Sequence, residues 1–176
     1  TICIFRLIKV YENIITKKCL LFFNFSFNSA YWSYYNFINT FMQKGFKQIS
    51  KHSGFMKHNG GLLFKKASHN RFKFLTKIKK NHLNRAGITH GGYIASIIDA
   101  GAGTSVHYVT KNKISVTISL DIKFIGSSKI GDEILGDIYI KKHTQSLIFV
   151  NCILTCKKKI IATASGIWKK TDKSFK

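Results

Sequence analysis

Between Gly91 and Thr110 the chain reads GGYIASIIDAGAGTSVHYVT, with Tyr93, Ile94, Ile97, Ile98 and Ala102 recurring at helical spacing. This makes about fifteen residues of nearly all-apolar helix, and a helix that is apolar all round is buried. What buries it must come from the flanking segments, and these read with period two. In RFKFLTKIKK, Phe72, Phe74, Thr76 and Ile78 alternate with Arg71, Lys73 and Lys77, and with GGLLFKKASHN before it the pair reads as a hairpin. In ISVTISLDIKF the alternation is strict, with Ile114, Val116, Ile118, Leu120, Ile122 and Phe124 on one side and Ser115, Thr117, Ser119, Asp121 and Lys123 on the other. Three more strands are expected near DEILGDIYIKK, SLIFVNCILTC and KIIATASGIWKK, with HTQS and KKK as tight connections in an antiparallel meander. QKGFKQISKHSGF reads as a short helix. One long helix on one antiparallel sheet is an α+β architecture.

The expected domain covers residues 45–170, followed by a tail at 171–176. Residues 1–44 read differently: CLLFFNFSFNSAYWSYYNFINTFMQ is uncharged, but asparagines and serines interrupt it, so a presequence or extension is expected there rather than a membrane anchor. The chain has 29 Lys and Arg against 7 Asp and Glu, a formal charge of +22. That sign favours polyanionic partners. The lysines are scattered in short steps with no basic recognition helix, so no specific nucleic-acid site is expected. Cys152 and Cys156 share a face of one strand-like run and read as small buried hydrophobes, with nothing demanding an oxidising compartment. No metal is expected, because His82 and His90 lack further ligands at matched spacing, and His52, His58, His69, His107 and His143 read as surface or loop residues.

Asp99 is the first carboxylate after Glu12, and it lies inside the apolar helix. A carboxylate there is costly unless something specific uses it. Gly91 and Gly92 open the same helix, where first-turn N–H groups lack partners and a partial positive charge gathers. A carbonyl oxygen gaining charge under attack is stabilised at such a place, and glycine lets it come close to the backbone.

The segment HLNRAGITHGGYIASIID, His82 to Asp99, strongly resembles the signature of hotdog-fold acyl-CoA thioesterases of the phenylacetate-degradation type. VTISLDIKFIGSSKIGDEI resembles that family's following strand, turn and Gly-Asp element, and ATASGIW its closing strand. Gly126-Ser127-Ser128 stand where the family commonly has a proline in the turn. The resemblance implies a hotdog fold, an antiparallel sheet wrapped around one long central helix. It also implies hydrolysis of an acyl-CoA thioester to the free acid and CoA without a cofactor. In its terms Asp99 activates water, Gly91 or Gly92 polarises the carbonyl, and Asn84 orients the thioester or the water. His90 shapes the turn and Thr117 holds the water. Gly92 and His82 would border the substrate, and the apolar segment around Phe55 and Met56 would line the acyl tail's pocket. His82 and His90 read equally well as structural caps of the loop, and a non-catalytic acyl-thioester-binding protein of the same fold is the alternative. Cytoplasmic residence is expected, the N-terminal segment leaving it open.

On an ideal helix His90 and Asp99 are separated by about 13 Å of rise and half a turn. Asp99 is therefore out of reach of a carbonyl held at its own chain's Gly91. The two are expected to meet across an interface, and the resemblance implies how: a twofold dimer, or a dimer doubled to a tetramer, each site taking the glycine turn from one subunit and the aspartate from the other.

Overall fold

The computed structural model describes residues 44–49, 54–111 and 113–174, and the expectations placed on residues 1–43 and on His52 lie outside the described residues. In chain order the elements are β1 (Lys47–Ile49), α1 (Phe55–His58), β2 (Leu62–Lys66), β3 (Arg71–Lys77), a 3-10 turn (Lys80–His82), α2 (Gly91–Val109), β4 (Lys113–Phe124), β5 (Glu133–His143), β6 (Leu147–Cys156) and β7 (Lys159–Ser174). The strands form one antiparallel sheet in the order β1-β2-β3-β5-β6-β7-β4, which leaves β4 on an edge. The β2–β3 hairpin and the β5–β6–β7 meander form as the alternation predicts.

Helix α2 lies against one face of this sheet. Ile97, Ile98, Ala102 and Val106 pack on Phe72, Phe74, Ile134, Ile138, Ile148 and Trp168, all buried. Close approach is set by glycine. A methyl group at Gly101 of α2 or at Gly136 of β5 would collide with the Phe74 ring, so that ring sits between two positions without side chains. A methyl at Gly166 would stand 2.6 Å from the Trp168 ring and 2.9 Å from the Ser119 carbonyl oxygen. No helix among the described residues is long and apolar enough to cross a membrane.

Two expectations need correction. The short helix expected over Gln43–Phe55 is in part strand β1, which pairs with β2 through Lys47 and Phe64, Gln48 and Leu63, and Ile49 and Leu62. Gly54 has φ of 125°, a conformation outside the helical region, so the helix starts only at Phe55.

The second correction concerns β4, whose strict alternation does not survive pairing with β7. Thr117 pairs with Trp168 but Ser119 pairs with Ile167, so two steps along β4 match one along β7 and Ile118 is the extra residue of a β-bulge. The bulge changes which side chains face the helix. Thr117 lies opposite Trp168, which is 1% exposed, on the helix side. Beyond the bulge Leu120 and Ile122 pack on the core, opposite Gly166 and Ala164. Val116 and Ile118 are left 48% and 55% exposed. Odd-numbered Thr117 and even-numbered Leu120, Ile122 and Phe124 thereby reach the same layer.

Candidate active site

The loop into α2 is built from its own polar groups. Asn84 Oδ1 accepts from the N–H of Ala86 at 2.9 Å and of Ile88 at 3.3 Å, closing a turn on itself. The Thr89 N–H donates to the Ser128 carbonyl at 2.9 Å, and the two hydroxyls lie 2.7 Å apart, both residues buried. The loop after β4 is thus tied to the residue just before the helix cap. Neither Thr89 nor Ser128 is singled out by the sequence reading. Ser128 falls in the turn that lacks the family proline, and its hydrogen bonds fix the turn where a rigid ring is missing.

His82 is 2% exposed. Its Nδ1 accepts from the Lys79 N–H at 3.1 Å, its Nε2 donates to the Asn59 carbonyl at 3.0 Å, and its ring stacks on Tyr93 with centroids 3.7 Å apart. The Tyr93 hydroxyl meets Thr76 Oγ1 at 2.9 Å. Burial pushes the His82 pKa down and the Tyr93 pKa up. Both ring nitrogens of His82 are committed to backbone, and through Asn59 they tie α1 to the start of α2. On α1, Met56 packs against the core while Phe55 is exposed.

At the helix start the two glycines differ. His90 is the N-cap, its Nδ1 accepting from the Gly92 N–H at 2.8 Å, and its carbonyl accepts from the N–H of Tyr93 at 2.9 Å and of Ile94 at 3.1 Å. That leaves the Gly91 N–H as the first-turn donor without a partner among the described residues. A methyl at Gly92 would press to 2.9 Å from His90 Nδ1, so Gly92 makes room for the cap. A methyl at Gly91 would meet only the Phe124 ring, at 3.5 Å, so packing alone does not call for glycine there.

Two turns along α2, Asp99 is exposed in the single chain and Thr117 Oγ1 donates to its Oδ1 at 2.7 Å. The bulge makes this contact: in a regular strand Thr117 would point to the opposite face. Three other described carboxylates are engaged otherwise. Asp132 accepts from the Lys129 N–H at 3.0 Å and pairs with Lys157 at 2.7 Å, Asp137 pairs with Lys73 at 3.1 Å, and Asp121 pairs with Lys123. Lys157 holds the Asp132 carboxyl below its ordinary range. Cys152 and Cys156 are free and buried, and burial pushes the Cys152 thiol up to about 12. Among the described residues no group of three or more His, Cys, Asp or Glu is placed to hold a metal ion.

The structure therefore gathers Asn84, His90, Gly91 and Gly92 at one end of α2 and Asp99 with Thr117 toward its middle. The ideal rise from Gly91 to Asp99 is about 12 Å, so one chain presents an unpartnered N–H and a held carboxylate at separate places.

Residues 86–162 match the model of the thioesterase superfamily. Acyl-coenzyme A thioesterase 13 of Mus musculus is 30% identical over 81 residues, which cover 46% of this chain and 58% of the mouse protein, so the match spans little more than half of that relative. A Pseudomonas aeruginosa protein provisionally named an esterase is 23% identical over 126 residues, 71% of this chain and 94% of that protein. The structure of smu.793 from Streptococcus mutans, bound to acetyl CoA, has a TM-score of 0.62 at 22% identity and covers 72% of this chain and 98% of that one. Segment 86–162 thus resembles the thioesterase superfamily, and the antiparallel sheet packed on one long helix is the hotdog fold that the solved thioesterase structures share.

Proposed function

We propose that the protein hydrolyses an acyl-CoA thioester to the free carboxylic acid and CoA. The observation that carries this reading is the pairing of an unpartnered Gly91 N–H at the capped helix start with a Thr117-held Asp99 carboxylate on an exposed edge. The thioester carbonyl accepts from the Gly91 N–H, whose position at the positive end of α2 stabilises the oxyanion of the tetrahedral intermediate. One such donor contributes about 2.7 to 4 kcal/mol in acyl transfer. Asp99 takes the proton of a water that attacks the carbonyl carbon, and Thr117 holds the carboxylate in place. The intermediate collapses with the C–S bond breaking, and the CoA thiolate leaves and is protonated. Asn84, with Oδ1 engaged in its turn, offers its amide N–H groups to the substrate, while His90 keeps the Gly92 N–H occupied. The strong positive charge draws the phosphates of CoA. Acetyl CoA in the Streptococcus mutans neighbour and the thioesterase name of the mouse relative support the substrate class.

The site is completed across a twofold dimer. Exposed Val116 and Ile118 on edge strand β4 and the exposed Asp99 support a partner at this edge, whose own Gly91 would meet this chain's Asp99. The test combines thiol release from a panel of acyl-CoAs with subunit complementation. Turnover should depend on Asp99, with Asp99→Asn reduced to background. Mixed dimers of Asp99→Asn chains and chains disabled at the glycine turn should recover about a quarter of the wild-type activity, since half the dimers are mixed and each regains one of two sites. Turnover of no acyl-CoA would end the hydrolase reading. No recovery despite demonstrated exchange would place each site within one chain.

A further inference from the structure

The Phe124 ring is the nearest side chain to the point where a Gly91 side chain would begin, with Cε1 and Cζ both at 3.5 Å. It closes β4, opposite Ala162, on the helix-facing side set by the bulge at Ile118. Yet the ring is 59% exposed, an apolar surface held in water against the one first-turn position whose N–H has no partner among the described residues. One strand thus touches both functional ends of α2, Thr117 at Asp99 and Phe124 at Gly91. It does so with residues of opposite parity, which an unbulged strand would send to opposite faces.

We infer that Phe124 sets acyl specificity by crowding the α-carbon of the acyl group, so that unbranched acyl chains are accepted and α-branched ones refused. The inference rests on the reading of the Gly91 N–H as the carbonyl donor. A carbonyl oxygen at about 2.9 Å from that nitrogen brings its two substituents beside the ring. The hydrocarbon side is the one that suits an aromatic wall, since the pantetheine arm carries amides that need hydrogen-bond partners. The ring touches the substrate and takes no part in proton transfer, so its signature is a change of preference between substrates.

The test compares butyryl-CoA with isobutyryl-CoA, which differ only in branching at the α-carbon, in the wild type, Phe124→Ala and Phe124→Leu. Turnover is read as kcat/KM. Binding is read by calorimetry with the matching carba(dethia) ketones, in which a methylene replaces the thioester sulfur so that nothing can be cleaved. Wild type should favour the straight chain by about tenfold or more in both readouts, within the range one methyl group commands in a tight pocket. Phe124→Ala should bring the ratio to within about threefold, with Phe124→Leu between. An unchanged ratio in Phe124→Ala, no preference in the wild type, or no binding of either ketone overturns the inference. So does loss of the preference through dissociation of the assembly in sedimentation velocity, which would make Phe124 an interface residue. Ketone discrimination without turnover of any thioester would sink the hydrolase reading and leave Phe124's role standing, whereas turnover with an unchanged ratio would do the reverse.

Discussion

Acid should loosen this fold through His82. Its ring is neutral as drawn by its contacts, because Nδ1 must carry a lone pair to accept from Lys79 while Nε2 carries the proton given to Asn59. Protonation of Nδ1 replaces an acceptor by a donor aimed at another donor. Burial and the nearby Lys79 charge lower the His82 pKa from its ordinary 6.5. With the folded value below the unfolded one, the unfolded chain binds the extra proton first, so stability is full above about 6.5 and falls as pH drops from there toward the folded value. Replacing His82 by leucine removes both bonds, leaving the Lys79 N–H and the Asn59 carbonyl without their partner. At about 1 to 3 kcal/mol for each orphaned group, the variant should lose roughly 2 to 6 kcal/mol at pH 7.5, a large share of a typical domain's stability. The assay is denaturant unfolding of wild type and His82→Leu between pH 7.5 and 5. Because the two proteins share every other ionisable group, the informative quantity is the difference between the two curves, which should shrink as the pH falls below about 6.5. A difference independent of pH would show that the His82 ring does not change charge in this range on unfolding, and the argument from its two backbone bonds would fail.

Thr117→Val should lower kcat by about ten- to a hundredfold, the worth of a hydrogen bond to a charged group, with the unfolding midpoint unchanged because Thr117 and Asp99 are both exposed in the single chain; retention of full kcat would remove Thr117 from the site. Gly136→Ala and Gly101→Ala should each destabilise by about 1 to 3 kcal/mol or more, as overpacked cores do, whereas Gly91→Ala meets only ordinary contact with Phe124 and should fold normally; calorimetric melting of the three variants checks the order. Asp132→Asn should narrow its deficit against wild type as the pH falls below the ordinary carboxylate value of 3.8, because the Lys157-paired carboxylate loses its advantage once protonated; acid denaturation curves that stay parallel would contradict the pairing. His90→Ala should cost about 1 kcal/mol of stability as a lost helix cap and free the Gly92 N–H, read as faster amide exchange at that position.

Period and motif made the long helix, its burial and the flanking hairpin and meander legible in the sequence, because each depends on local pattern alone. The glycine turn and Asp99 were legible as types at a spacing, but the division of roles between Gly91 and Gly92 was not, since it turns on which N–H the His90 ring occupies. The face that Thr117 takes is not legible. Strict alternation cannot disclose a bulge, because the extra residue is defined only by the partner strand, here the single step from Trp168 to Ile167. The pairing of Ser128 with Thr89 is not legible for a similar reason: 39 residues separate them, and buried hydroxyl pairs have no sequence period. Strand β1 was masked by helix-compatible residues, and only its pairing with β2 makes it strand.

The seat of the Phe74 ring also has a consequence for how the sheet finds its alignment. Phe74 lies directly opposite Gly136, and the next helix-facing residues of β5 on either side are Ile134 and Ile138. A slip of one residue between β3 and β5 would turn the apolar row to solvent and is rejected by burial alone. A slip of two keeps every face correct, and hydrophobicity has no objection to it. It would, however, set the ring against isoleucine instead of the vacant position, while Gly101 above would still expect the ring where it was. The missing side chain at position 136 therefore acts as a key for register, telling the native pairing from its nearest equally greasy competitor.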